Sequence, residues 1–193
     1  MRQKLNSMAK ALVLMAEGFE EIELTSIVDI LRRGGVTVTI AGLKDGLITG
    51  SRGIKMQPDV TLDSIKEMYD VIILPGGSPG YVNLGNDRRV LELVNGYYAD
   101  KKMVAAICAA PSVLAKAGIL AGKKATIFKG MENELKNAVY VDKPVVEDGN
   151  ILTSQGPGTA MEFAIELLKR LAGEKKAREV QEKLLYRNVQ PIH

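Results

Sequence analysis

Short apolar runs alternate along the chain with segments whose apolar positions recur at helical spacing. The runs at 11–15, 36–41, 71–74, 103–107, 125–128 and 151–154 predict strands, and the periodic segments at 21–33, 87–99, 111–117, 159–172 and 175–185 predict helices. The strand interiors are apolar at consecutive positions, as in Val71-Ile72-Ile73-Leu74 and Val104-Ala105-Ala106-Ile107. A strand that shows an apolar side chain to each face has to be covered on each face. The pattern therefore predicts an α/β fold, a mostly parallel central sheet with helices on both faces joined by right-handed crossovers. Gly34-Gly35 stops the first helix, Asp87 can cap the second, and Gly173 ends the helix that follows the Gly156-Pro157-Gly158 turn. Two patches break the alternation and read as hairpins, 47–49 with 54–56, and 145–146 with 151–152 through Glu147-Asp148-Gly149-Asn150.

At 193 residues and 46% hydrophobic, the chain can bury one substantial core. The expectation is a single domain over 9–185, with a loose extension at 1–8 and an extended or poorly ordered tail at 186–193. Twenty-six Lys and Arg against 23 Asp and Glu give a net charge of +3 with the signs interspersed, which is not the footprint of a specific nucleic-acid binder. No segment approaches the roughly 20 apolar residues of a membrane span, and the first residues lack an apolar signal core, so the chain reads as cytoplasmic. One cysteine excludes an intrachain disulfide. One histidine, the terminal His193, leaves no zinc site of several Cys and His ligands, and no metal is expected. The stretch Gly118 to Lys124 misses the phosphate-loop spacing by one residue and lacks its hydroxyl.

Candidate chemistry centres on that one cysteine. Cys108 follows the strand at 103–107 and precedes the helix opened by Pro111, so the helix N–H groups would favour thiolate over thiol. A small buried hydrophobe is the alternative, and position alone leaves the two open. In a parallel α/β sheet functional groups collect beyond the carboxyl ends of the strands. Three segments converge there: 17–23, 74–80 and 107–109. Gly76 and Gly77 can offer unshielded backbone N–H groups to an oxyanion, or simply make a tight turn. Glu20 and Glu21 read as an exposed, dipole-complementing helix start. Glu23, one turn on, either is solvated or packs toward the sheet, where desolvation would raise its pKa and place a proton beside sulfur.

The segments Glu20-Glu21-Ile22-Glu23, Ser51-Arg52-Gly53, Leu74-Pro75-Gly76-Gly77, Ala105-Ala106-Ile107-Cys108-Ala109-Ala110-Pro111 and Thr153-Ser154-Gln155-Gly156-Pro157-Gly158-Thr159, in order from about 9 to 172, resemble the DJ-1/ThiJ/PfpI superfamily and its DJ-1 branch most closely. The resemblance implies a flavodoxin-like three-layer sandwich, a homodimer, and a reactive cysteine at a strained nucleophile elbow, here Cys108. It implies that a protonated Glu23 donates to the sulfur, that Gly76, Gly77 and Ala109 supply backbone donors, and that Arg52, with Arg33 from the partner subunit, edges the pocket. Two positions depart from the pattern. Peptidase-like relatives carry histidine after the cysteine where this chain has Ala109, which disfavours proteolysis. Phe128 stands where the human-type protein has a pocket histidine, so proton transfer would fall to Glu23 or water.

Two functions follow from the resemblance. One is a cofactor-free glyoxalase or deglycase acting on methylglyoxal-type carbonyls or their adducts with thiols and amines. The other is an oxidative-stress sensor or redox-responsive chaperone working through oxidation of the same cysteine. A binding module with an inert cysteine is the third reading.

Overall fold

The computed structural model describes residues 8–187. In chain order it runs β1 (Lys10–Met15), α1 (Glu21–Arg33), β2 (Thr37–Gly42), β3 (Ile48–Thr49), β4 (Lys55–Met56), β5 (Val60–Thr61), β6 (Val71–Leu74), α2 (Gly80–Asn86), α3 (Arg88–Ala99), β7 (Met103–Ile107), α4 (Pro111–Lys116), β8 (Lys124–Ala125), β9 (Val139–Tyr140), β10 (Val145–Asp148), β11 (Ile151–Ser154), α5 (Ala160–Ala172) and α6 (Glu174–Lys183).

Seven strands form one sheet in the order β10-β11-β7-β6-β1-β2-β5. Every neighbouring pair is parallel except the β10–β11 hairpin. Alternation along β1 divides the core: Ala11, Val13 and Met15 pack with Leu24, Ile27, Phe163 and Leu167, whereas Leu12 and Leu14 pack with Val90, Val94, Tyr97 and Leu114 on the other face. The result is the three-layer arrangement, with α1 against α5 on one side and α3 and α4 on the other. Burying Leu12 or Leu14 removes an entire side chain from water, worth about 2 kcal/mol each. Gly34 caps α1 and also lets α5 come close, because a Cβ there would lie 2.1 Å from Leu168 Cδ1.

The chain leaves β1 toward β2 and then returns on the other side as β6. That reversal opens a crevice beyond the carboxyl ends of β1, β6 and β7.

The expected strand at 125–128 is a correction. Only β8 is extended, and it pairs with β9 outside the seven-stranded sheet. Thr126 donates its N–H to the Thr153 hydroxyl at 2.9 Å rather than to a strand carbonyl, and Phe128 N–H bonds to the Cys108 carbonyl, bending the segment toward the crevice. Helix α2 was not expected: Gly80-Tyr81-Val82-Asn83-Leu84-Gly85-Asn86 holds two glycines and two asparagines, poor helix formers. It is held from outside, since Tyr81 N–H reaches the Gly77 carbonyl and Asn83 Nδ2 reaches the Glu17 carbonyl. The final helix stops at Lys183, and Leu185 adopts a left-handed φ of 54°. Tyr186, assigned to the tail, packs half-buried against the core. Residues 1–7 and 188–193, including His193, lie outside the described residues. Among the described residues no helix is long and apolar enough to cross a membrane.

Candidate active site

Cys108 sits at the turn from β7 into α4 with φ 63°, a left-handed conformation that costs a non-glycine residue about 1–2 kcal/mol. Its neighbours hold it there. The Cys108 N–H donates to the Ser154 carbonyl at 3.0 Å, and its carbonyl accepts from Phe128 N–H at 2.9 Å. The side chain is 8% exposed, at the edge of a cavity of about 320 Å³.

Beside the sulfur lies Glu23, fully buried on the inner face of α1. Its Oε2 accepts from Gly76 N–H at 2.7 Å, and among the described residues its Oε1 meets no N–H or O–H donor. Desolvation raises the Glu23 pKa to about 7, against the opposing pull of the Gly76 N–H and the Cys108 thiol. Cys108 is pushed up to about 12, by burial first and then by the Glu23 charge, while the N–H groups of Ala109 and Gly77 pull it down. The expectation that the helix start favours thiolate is therefore corrected. α4 has six residues, and its dipole does not outweigh burial beside a carboxylate. The two acids act as one unit: below about pH 7 both are protonated, and above it they hold one proton between them.

Three further expectations change. The Gly76 N–H is taken by Glu23, so it is not available to an oxyanion; Gly77 and Ala109 are the amides that face sulfur. Gly76 still has to be glycine, since a Cβ would stand 2.6 Å from Cys108 Cβ. At Gly77, φ is 92° and a Cβ would lie 2.4 Å from both Glu20 N and the Gly18 carbonyl oxygen. Glu20 and Glu21 are not exposed. Glu20 is 7% exposed and caps the helix through Oε2 to Glu23 N–H at 2.8 Å, positioning the very residue that meets the sulfur. Glu21 is buried under the β3–β4 hairpin, where its Oε1 accepts from the N–H groups of Arg52 at 2.7 Å and Ile54 at 3.3 Å.

That hairpin brings Ser51 and Arg52 to the cavity, beside Glu20. Arg33 is placed elsewhere: it pairs with Asp29 at 2.6 Å on the last turn of α1, outside this chain's cavity. Phe128, 45% exposed, forms cavity wall together with Tyr81, Met131 and Pro157. Sequence reasoning assigned no lining role to Glu20, Ser51, Ser78, Tyr81, Met131 and Pro157. Glu20 and Ser78 lie in the convergent segments 17–23 and 74–80, and Ser51 and Pro157 lie in segments that carry the resemblance; Tyr81 and Met131 gave no signal, because they arrive through the packing of α2 and of the 128–131 turn.

A family profile described as the DJ-1/PfpI family matches residues 9–170. Protein dj-1beta of Drosophila melanogaster is 44% identical over 179 residues, spanning 91% of this chain and 96% of that protein. The crystal structure of Drosophila melanogaster DJ-1beta superposes with a TM-score of 0.91 at 43% identity, covering 93% of this chain and 98% of that one. A structure of Toxoplasma gondii DJ-1, described as oxidized, gives 0.89 at 34% identity, covering 92% and 98%. With its flavodoxin-like fold and these similarities, the chain belongs to the DJ-1/PfpI family, in its DJ-1 branch.

Proposed function

We propose that the protein is a cofactor-free, cysteine-dependent glyoxalase or deglycase acting on methylglyoxal-type carbonyls and their thiol or amine adducts. The observation that carries the reading is the fully buried Glu23 carboxyl set beside a cysteine held in a left-handed turn. The singly protonated pair has two forms, thiol with carboxylate and thiolate with carboxylic acid. The second is the reactive one, and Gly77 and Ala109 N–H groups favour it.

The Cys108 sulfur adds to the aldehyde carbon of methylglyoxal, and the proton on Glu23 passes to the oxygen, giving a hemithioacetal. Glu23, now a carboxylate, takes the proton from that carbon and returns it to the neighbouring one, while the hydroxyl proton shifts to the neighbouring carbonyl oxygen through the enediol, converting the hemithioacetal to a thioester of lactate. Water hydrolyses the thioester, releasing lactate and restoring the thiol. The net change is addition of one water, with no external oxidant or reductant. Ala109 follows Cys108 where peptidase-like relatives carry a histidine, so proteolysis is disfavoured. The reading includes a homodimer in which the partner contributes Arg33 to the pocket edge.

Purified protein incubated with methylglyoxal and no added cofactor is expected to form lactate, with the rate abolished in Cys108→Ser and reduced at least about a hundredfold in Glu23→Gln. Lactate formation at the parent rate in both variants would reject the enzyme reading. The alternative, a redox sensor, is favoured by the same carboxyl: the chain has no second cysteine to resolve a sulfenic acid, and a protonated Glu23 would donate to a Cys108 sulfinate. It predicts a gain of two oxygens at Cys108 at low peroxide, before any of the eight methionines is oxidised.

A further inference from the structure

The cavity next to Cys108 has more room, and a more apolar wall, than a three-carbon dicarbonyl needs. Its volume of about 320 Å³ corresponds to about ten water molecules at liquid density. Phe128, Tyr81, Met131 and Pro157 all line it, while the polar groups Glu20, Ser51 and Arg52 gather where the hairpin and α1 meet. Phe128 is a large aromatic that is 45% exposed. Its N–H is tied to the carbonyl of Cys108 itself, and its carbonyl accepts from Met131 N–H at 3.0 Å. Its ring lies against Gly156, where a Cβ would be 3.3 Å from Cδ2 and 3.6 Å from Cε2. The Phe128 backbone is thus tied to the residue that bears the nucleophile, and its ring, lying against Gly156, forms part of the cavity wall. Apolar surface held open beside a reactive centre favours a substituent that displaces water from it, and a flat ring can also stack on an aromatic wall.

We propose, building on the carbonyl reading above, that Phe128 makes this pocket selective for carbonyl electrophiles bearing an aromatic or similarly bulky apolar substituent, aryl α-oxo aldehydes in preference to methylglyoxal. The reacting carbonyl carbon meets Cys108, and the substituent packs against Phe128 and Met131. Phe128 acts here as a specificity-determining residue, with the chemistry left to Cys108 and Glu23.

The test uses a matched pair of α-chloro ketones, phenacyl chloride and chloroacetone, which alkylate Cys108 by forming a sulfur–carbon bond as chloride leaves. Each rate is divided by the rate of the same reagent with free thiol, removing the difference in intrinsic reactivity. The corrected rate is expected to favour phenacyl chloride on the order of tenfold in the parent, to keep that preference in Phe128→Tyr, and to fall toward equality in Phe128→Ala. A corrected ratio near one in the parent, or a preference that survives in folded Phe128→Ala, would overturn the proposal. Alkylation requires no turnover, so absence of lactate formation rejects the enzyme reading without touching this result. Turnover of methylglyoxal with no aryl preference rejects the selectivity alone.

Discussion

At the scale of single residues, the proposed chemistry rests on two acids that burial pushes in the same direction. Glu23 titrates at about 7 against an ordinary 4.5 because its carboxylate has been desolvated, and Cys108 rises to about 12 for the same first reason. The Glu23 shift is also a statement about stability. A carboxyl whose folded pKa is raised stabilises the fold fully below the unfolded value, and that contribution is lost as pH rises through the folded value, here between about 4.5 and about 7. Glu23→Gln cannot ionise and so escapes the loss. Relative to the parent, the variant is expected to gain roughly 3 kcal/mol between pH 4 and pH 8 in denaturant unfolding, and an unchanged difference across that range would contradict the assignment. Both acids were legible in the sequence, Cys108 from its place after a strand and Glu23 from its helical position. The destination of the Gly76 N–H was not, because it depends on which rotamer Glu23 adopts across 53 residues of chain. The burial of Glu20 and Glu21 was likewise hidden, since charge patterning on a helix reads as solvated until the partner backbone is in view.

At the scale of elements, Glu21 joins α1 to the β3–β4 hairpin. Burial alone would raise its pKa, but N–H groups of Arg52 and Ile54 and the Ser51 hydroxyl more than offset this and lower it. Glu21→Ala leaves those N–H groups without their acceptor, at a cost of about 1–3 kcal/mol. Amide exchange at Arg52 and Ile54 is expected to accelerate at least about fivefold in the variant, while amides in β1 and β6 keep more of their protection; uniform exchange across the chain would contradict a local role. Gly50 belongs to the same contact, since a Cβ there would come within 2.4 Å of Glu21 Oε1. The long periodic helices and continuous apolar strands could be read from the pattern because their own side chains decide them. β8 and α2 could not: one is two residues paired to a distant strand, and the other is a glycine- and asparagine-rich turn held by Glu17 and Gly77.

At the scale of the whole molecule, the sheet reversal between β1 and β6 creates the crevice, and both faces of β1 are buried, so site and core share the same strands. The layered fold was readable for that reason. The surface bears on assembly: Ile22, Leu47 and Ile54 are each more than half exposed at the start of α1 and on the hairpin beside the cavity. The proposed homodimer would cover such side chains, and sedimentation at micromolar concentration is expected to give twice the chain mass of 20.9 kDa, with a single-chain mass contradicting it. In that assembly Arg33→Ala should lower turnover although Arg33 stands outside its own chain's cavity, and an unaffected rate would remove it from the site. The central claim, that Cys108 and Glu23 hold one proton between them in the intact protein, is tested most directly by the pH dependence of Cys108 alkylation with iodoacetamide. The parent rate is expected to climb about tenfold per pH unit to about 7 and then level, while Glu23→Gln shows no break there and keeps rising with the thiol alone. Identical profiles in the two proteins would contradict the account.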